Sequence, residues 1–287
     1  MPELPEIQTI VNDLNKAVLN KKIKKVEIRL PKIVRCANKD FCTVLKNSSF
    51  QKISRWGKFI IIQLSQKNEY LVVHLRMTGQ IIYINKDKII AGGHSMGNNQ
   101  FDLPNKQTHL IVYFQDQSKL FYNDQRQFGF WQVADLKGLK EIQDKLGLNP
   151  LYTEFSLSSF KKLLEDRKGN IKAFLLNQKY IAGLGNIYTD ESLFKAHILP
   201  FRKISTLTAK EIEKLYKAIK YILNLSIKYR GTTFNNYVDA EGCKGKFIKF
   251  LKVYRKEGQK CSRCQKEIIK KVKIAGRGTR YCSSCQK

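Results

Sequence analysis

The first six residues, Met1-Pro2-Glu3-Leu4-Pro5-Glu6, place unusual chemistry at a chain end. Met1 is expected to be removed before so small a second residue, leaving Pro2 with a free secondary amine. An α-amino group titrates near ~8, so a useful fraction is unprotonated at neutral pH. Such an amine attacking an aldehyde-level carbon forms an iminium ion. That ion is an electron sink and makes the next carbon acidic, by the logic of lysine Schiff bases. Glu3 and Glu6 supply carboxylates able to move protons, and Pro5 fixes a backbone angle between them. A frayed terminus can carry the same residues, so the stretch takes its meaning from what lies downstream.

The tail offers the most specific spacing, Cys261-x2-Cys264-x17-Cys282-x2-Cys285. Two complete CxxC pairs fit a four-thiolate structural Zn2+ site with no position left open for catalysis. Between the pairs, Lys270, Lys271, Lys273, Arg277 and Arg280 surround Gly276 and Gly278. A β-hairpin with Arg277 at its tip would offer a cation to a phosphate. Cys36, Cys42 and Cys243 remain and suit ordinary reduced thiols.

Three further stretches end or begin strands. Lys58 in Arg55-Trp56-Gly57-Lys58-Phe59 is either a cation aimed into a cleft or a solvated strand-end lysine. In His74-Leu75-Arg76-Met77-Thr78-Gly79, Met77 suits either a core or an exposed functional role, and His74 suits a structural histidine. In Asn123-Asp124-Gln125-Arg126-Gln127-Phe128-Gly129, Arg126 and Phe128 can project from one side of a turn, or Phe128 can be buried beneath it. Farther on, Gly183-Leu184-Gly185-Asn186 leads into a helix with Asn186 placed to cap it. Helix N-termini bind phosphate; a plain helical hairpin would use the same residues.

The elements that must position these groups divide the chain in two. Ile7, Ile10, Val11, Leu14 and Val18 form a helical stripe over about residues 5–19, which would anchor the terminus on a core. Short apolar runs at 59–64, 70–75, 81–84, 109–114, 119–122 and 130–133, with Val26, Ile28 and Leu30 before them, point to a β-sandwich or barrel. Helical spacing begins after Ser156. Thr208-Ala209-Lys210-Glu211 has the form of a capping box opening a long helix. Residues 232–246 are polar and irregular, a candidate mobile loop. The expected borders are 1–133 for an N-terminal β-sandwich domain, 134–152 for a linker, 153–242 for a helical domain, and 243–287 for the zinc hairpin.

Composition narrows the partner. Among 287 residues, 53 basic against 24 acidic give a net charge of +29. That excess favours a polyanion, nucleic acid before membrane. No apolar run reaches the ~20 residues of a membrane span, and no secretory signal pattern opens the chain, so an intracellular, cytoplasmic protein is expected.

Taken together, these motifs resemble the formamidopyrimidine-DNA glycosylase family of bacterial repair enzymes. The resemblance covers nearly the whole chain: PELPE, RWGKF, HLRMTG, NDQRQFG, IKAFLLNQ, AGLGNIYTDESLF, RGTT and the four-cysteine tail with GRGTRYC. It implies an α+β, two-domain fold: a β-sandwich, then a helix–two-turns–helix module with a zinc β-hairpin. It implies a monomeric glycosylase and abasic-site lyase acting on double-stranded DNA that contains oxidised purines or abasic sites. By the resemblance, Pro2 would attack C1′ and form the Schiff base, and Glu3 would act as general acid/base. Lys58 would serve β-elimination and Arg277 the later δ-elimination. Met77, Arg126 and Phe128 would fill the gap left by the extruded base, with Arg126 facing the partner cytosine. Lys168 and Asn186 would hold phosphates, and 232–246 would form a lid over the flipped base.

Three positions depart from the family pattern: Gln107 where His is usual, Gln127 in place of a common second Arg, and Arg230 where Gly is usual. Two rival readings stand beside this one. The endonuclease VIII branch, acting on oxidised pyrimidines, typically has Gly where this chain has Leu4. A non-catalytic zinc-hairpin DNA-binding protein would need none of Pro2, Glu3 or Lys58.

Overall fold

The computed structural model describes residues 1–36, 38–86, 89–93, 102–232 and 245–287. These fall into two compact units. One comprises 1–144 with 229–248, and the other 145–228 with 249–287.

The first unit opens with helix α1 (Leu4–Ala17), whose apolar stripe of Leu4, Ile7, Ile10, Val11 and Leu14 is buried. Then come β1 (Ile23–Ile28), α2 (Asn38–Leu45), β2 (Phe50–Trp56), β3 (Phe59–Leu64), β4 (Tyr70–His74) and β5 (Gly79–Ile84). β6 (Ile89–Gly93), β7 (Thr108–Phe114), β8 (Lys119–Asp124), β9 (Phe130–Ala134) and α3 (Leu136–Asp144) complete it. The strands make two antiparallel sheets, β1-β7-β8-β5-β6 and β2-β3-β4-β9. This is the expected sandwich.

Its core follows from period-2 alternation. Ile60 and Ile62 of β3 join Leu71, Val73, Tyr83, Val112 and Tyr122 between the sheets, together with the stripe of α1. Ile61 and Val72 point to the other face, where Leu139 of α3 covers them. The stretch 134–152, expected as a linker, carries the helix α3, whose Leu139 packs against Ile61 and Val72 of one sheet.

The second unit contains α4 (Leu157–Leu164), α5 (Ile171–Leu176), α6 (Asn186–Ala196) and α7 (Ala209–Lys228), then the hairpin β10 (Lys270–Ile274) and β11 (Arg277–Tyr281). The capping box before α7 is formed. Thr208 N–H donates to Glu211 Oε2 at 2.8 Å, and Glu211 N–H donates to Thr208 Oγ1 at 3.3 Å. Phe155, Phe160 and Tyr216 pack their rings together where α4 meets α7. Ala275 and Gly276, with φ of 48° and 72°, make the hairpin's two-residue turn. Both need the positive φ of a type I′ turn. Arg277 therefore flanks the tip instead of occupying it, paired with Ile274.

Candidate functional site

In the first unit the N-terminus is fixed. Glu3 is buried and stands at the N-cap of α1, and its N–H donates to Glu6 Oε2 at 3.0 Å. The other oxygen of Glu6 accepts from Thr232 N–H at 2.7 Å and from Thr232 Oγ1 at 2.9 Å. Gly231, at φ +77°, presses so close that a Cβ there would sit 2.7 Å from Glu6 Oε1. Arg230, also left-handed at φ 61°, pairs with Asp13 of α1 at 2.6 Å. Residues 230–232 are thereby tied to α1. By their contacts, residues 229–248 group with the first unit. Most of the expected lid, 233–244 with Cys243, lies outside the described residues.

Lys58 occupies the two-residue turn between β2 and β3, with Gly57 at φ 55° as a type II′ hairpin asks. It is only 6 % exposed, so it is not a solvated strand-end lysine. His74 lies near it. The imidazole is pushed down to about 3, first by burial, then by Arg76, Lys58 and Arg35. Its Nδ1 accepts from Arg76 N–H at 3.0 Å, and its ring packs edge-on to Phe59 at 4.6 Å. His74 is thus a neutral structural acceptor inside a cationic cluster. Arg35 stacks on Phe130 at 3.3 Å from the ring centroid, and burial with Arg76 beside it lowers its own pKa.

Met77 and Phe128 are 39 % and 53 % exposed, large apolar groups left open at two turns. Arg126 lies with both: its Nη1 donates to Met77 Sδ at 2.9 Å, and its guanidinium carbon is 4.7 Å from the Phe128 ring centroid. The three residues that spacing alone left ambiguous therefore form one exposed group.

In the second unit, Gly185, extended at φ −134°, is the N-cap of α6, and Asn186 is the first helical residue. The expected Asn186 cap is not made. Its side-chain amide instead donates to Gly278 O on β11 at 2.9 Å, so the α6 N-terminus and the residue after Arg277 are joined. Lys172 and Asp190, both fully buried, meet at 2.6 Å, and Lys172 Nζ also donates to Thr279 Oγ1 at 2.7 Å. Asp190 Oδ2 accepts from Arg280 N–H at 3.0 Å. Burial pushes the Asp190 carboxyl up to about 6, while Lys172 and the Arg280 N–H oppose it. Glu191 accepts the backbone N–H groups of Lys252, Val253 and Tyr254, fixing the chain that enters the cysteine tail. Lys168 is exposed in the loop before α5.

Cys261, Cys264, Cys282 and Cys285 present four sulfurs all within 4.8 Å of one another. Cys261 and Cys285 are 3.7 Å apart, and Cys264 and Cys282 are 3.8 Å apart. Tetrahedral ligands about 2.3 Å from a zinc ion would stand about 3.8 Å apart, so the donor set fits a metal ion of that kind. Backbone N–H groups of Glu267 and Lys266 hold the Cys264 thiol down to about 6.

Residues 1–131 match the family described as "Formamidopyrimidine-DNA glycosylase N-terminal domain", and residues 146–237 match "Formamidopyrimidine-DNA glycosylase H2TH domain". The chain is 41 % identical over 268 residues to a formamidopyrimidine-DNA glycosylase of Pelotomaculum thermopropionicum, covering 92 % of this chain and 91 % of that protein. The chain belongs to the formamidopyrimidine-DNA glycosylase family. Another such glycosylase, from Carboxydothermus hydrogenoformans, is 41 % identical over 265 residues, covering 92 % of each chain. Among solved structures, the Lactococcus lactis Fpg in complex with an abasic site containing DNA is similar at TM-score 0.88. That protein is 34 % identical, with 99 % of each chain covered.

In chain order, a β-sandwich is followed by the helix–two-turns–helix module and a four-cysteine hairpin. No helix among the described residues is long and apolar enough to cross a membrane. Arg35 and Arg76, which act with Lys58 on His74, carry no motif of their own. Arg35 follows no strand pattern, and its approach to His74 and Arg76 is created by the fold alone. The buried Lys172–Asp190 pair also escapes the sequence patterns, although an IKAF lysine on an apolar face offers a signal.

Proposed function

We propose that this chain is a bifunctional DNA glycosylase and abasic-site lyase of base excision repair. Its proposed substrate is duplex DNA carrying oxidised purines such as 8-oxoguanine and formamidopyrimidines, and it acts as a monomer. Beyond family membership, one observation carries the catalytic reading. The segment bearing Pro2 is not a frayed tail but is fixed by a buried Glu3 and by Glu6.

The target base is unreachable within the stack and must be flipped out, at a cost of a few kcal/mol. Met77, Arg126 and Phe128 fill the gap, with Arg126 facing the partner cytosine. An exposed thioether, guanidinium and ring suit that work. The Pro2 nitrogen then attacks C1′. The C1′–N bond to the base breaks, and the base departs with the bonding pair and a proton. Glu3 acts as general acid and base at the sugar: the Pro2 nitrogen gives up its proton, O4′ takes one, and the C1′–O4′ bond opens, leaving an iminium ion between Pro2 and C1′ and a hydroxyl at C4′. That ion acidifies C2′. Loss of the C2′ proton expels the 3′ phosphate, a β-elimination served by Lys58. A second elimination, served by Arg277, expels the 5′ phosphate. Lys168 and Asn186 grip the DNA backbone, and Arg35 and Arg76 add positive charge around His74, which Lys58 also approaches; such contacts position the protein without reading sequence.

Cys261, Cys264, Cys282 and Cys285 hold one Zn2+ with a structural task, stabilising the hairpin that carries Arg277.

The test is a nicking assay on duplex containing 8-oxoguanine opposite cytosine. Expected products are the free oxidised purine and a one-nucleotide gap with phosphate at both ends. Faster removal of thymine glycol than of either purine lesion would overturn the substrate assignment, and intact strands with every lesion would overturn the enzyme reading.

A further inference from the structure

Asp124, the last residue of β8, has no exposed surface, yet its carboxylate gathers four donors. Oδ1 accepts from the Thr78 hydroxyl and from Arg126 N–H, the latter at 3.3 Å. Oδ2 accepts from Gly129 N–H at 2.7 Å and from the Tyr122 hydroxyl at 3.1 Å. Thr78 Oγ1 in turn accepts from Arg126 N–H at 2.9 Å. Tyr122 lies on β8 itself, and the other three donors belong to two different turns. Thr78 follows Met77 just before β5, while Arg126 and Gly129 bracket Phe128 between β8 and β9. Gly79 pairs with Asp124 across β5 and β8, so both turns leave the sandwich at the same end. The clasp also explains Gly129: a Cβ there would lie 1.9 Å from the Tyr122 hydroxyl and 3.1 Å from Asp124 Oδ2.

We propose that Asp124 is a positioning residue that locks the Met77 turn and the Arg126–Phe128 turn into one wedge, and so sets how strongly the protein selects the base opposite the lesion. This rests on the reading that Met77, Arg126 and Phe128 enter the vacated stack. An exposed arginine reading a partner base must arrive in a fixed orientation, because its flexible stem otherwise loses rotamer freedom on binding. The Arg126 backbone is held on its N–H by Thr78 and Asp124, and its head by Met77 and Phe128. A carboxylate is required because all four partners donate. An Asn side chain has one acceptor oxygen, and its NH2 would face donors.

The experiment compares single-turnover excision of 8-oxoguanine opposite C and opposite A by wild type, Arg126→Ala, Asp124→Asn, Thr78→Val and Thr78→Ser. Thr78→Val keeps the side-chain shape and removes only the hydroxyl link, so it decides the matter if Asp124→Asn does not fold. Asp124→Asn and Thr78→Val are expected to lower the C-over-A ratio by about fivefold, the low end of what one base contact contributes. They should approach Arg126→Ala, while Thr78→Ser restores the wild-type ratio. If Arg126→Ala lowers the ratio and both clasp variants keep it at wild type, the clasp is refuted and the wedge stands. If Arg126→Ala also leaves the ratio unchanged, the wedge reading fails and the inference falls with it.

Discussion

A single oxygen of Glu6, Oε1, accepts both the backbone N–H and the hydroxyl of Thr232, at 2.7 and 2.9 Å. The partner oxygen, Oε2, accepts the N–H of Glu3. One carboxylate thus fixes the residue next to Pro2 and a segment more than two hundred residues later in sequence. The second tie, Arg230 to Asp13, lies two turns farther along α1 and offsets the cost of a left-handed arginine. Arg230 is one of the three positions that depart from the family pattern, and its guanidinium, paired with Asp13, has work that a glycine could not do.

Glu6→Ala should therefore destabilise the first unit by about 2 kcal/mol, the range for hydrogen bonds to a charged acceptor. Amide exchange at Thr232 should accelerate with it. A chemical-denaturation curve with hydrogen exchange reads both. Wild-type protection at Thr232 in the variant would show that Glu6 does not anchor this segment.

Removing the metal should disable DNA binding while the β-sandwich stays folded. The cysteine cluster, with Phe194, Val253 and Ile269, forms a small core of its own in the second unit. The sandwich core contains none of these residues. Chelation, or Cys264→Ser, is expected to weaken binding to duplexes of any sequence and to leave the β-rich circular dichroism intact. Unchanged affinity in protein verified as metal-free would contradict this.

Much of this fold is legible in the sequence where one periodicity repeats. The stripe from Ile7 to Leu14, the runs in β3, β4, β7 and β8, and the Thr208–Glu211 capping box all carry their own local signal. The helix α3 does not, because it is short, holds Gly138 and buries only Leu139. β6 hides for a similar reason: five residues ending in Gly92 and Gly93 resemble a turn. At the site, residue types were visible and environments were not. Nothing local marks Lys58 as buried, and Arg35 reaches Phe130 only because its segment meets β9 far along the chain, its N–H donating to Trp131 O. Asn186 resembled a cap because Asn favours that place, but a tertiary partner, Gly278 O, takes its side chain instead.

His74 should make the protein acid-sensitive. Its folded imidazole is held at about 3, against ~6.5 in an unfolded chain. Between those values the unfolded chain binds the extra proton. His74's contribution is therefore complete above ~6.5 and is lost as pH falls toward 3. Wild-type stability should drop by roughly 1 kcal/mol per pH unit from this group below ~6.5. His74→Gln, which can still accept from Arg76 N–H, should flatten that slope. Equal slopes for both proteins would show that His74 is protonated when folded.

The central claim is that Pro2 is the nucleophile, and borohydride trapping tests it most directly. A glycosylase that uses water passes through no imine, so reduction leaves nothing attached. An amine nucleophile passes through an iminium ion, which borohydride converts to a stable amine. Protein verified to lack Met1, mixed with duplex containing 8-oxoguanine and reduced, should give a covalent complex whose digestion places the adduct on Pro2. An adduct on Lys58, or no adduct with any lesion or abasic site, would contradict the account.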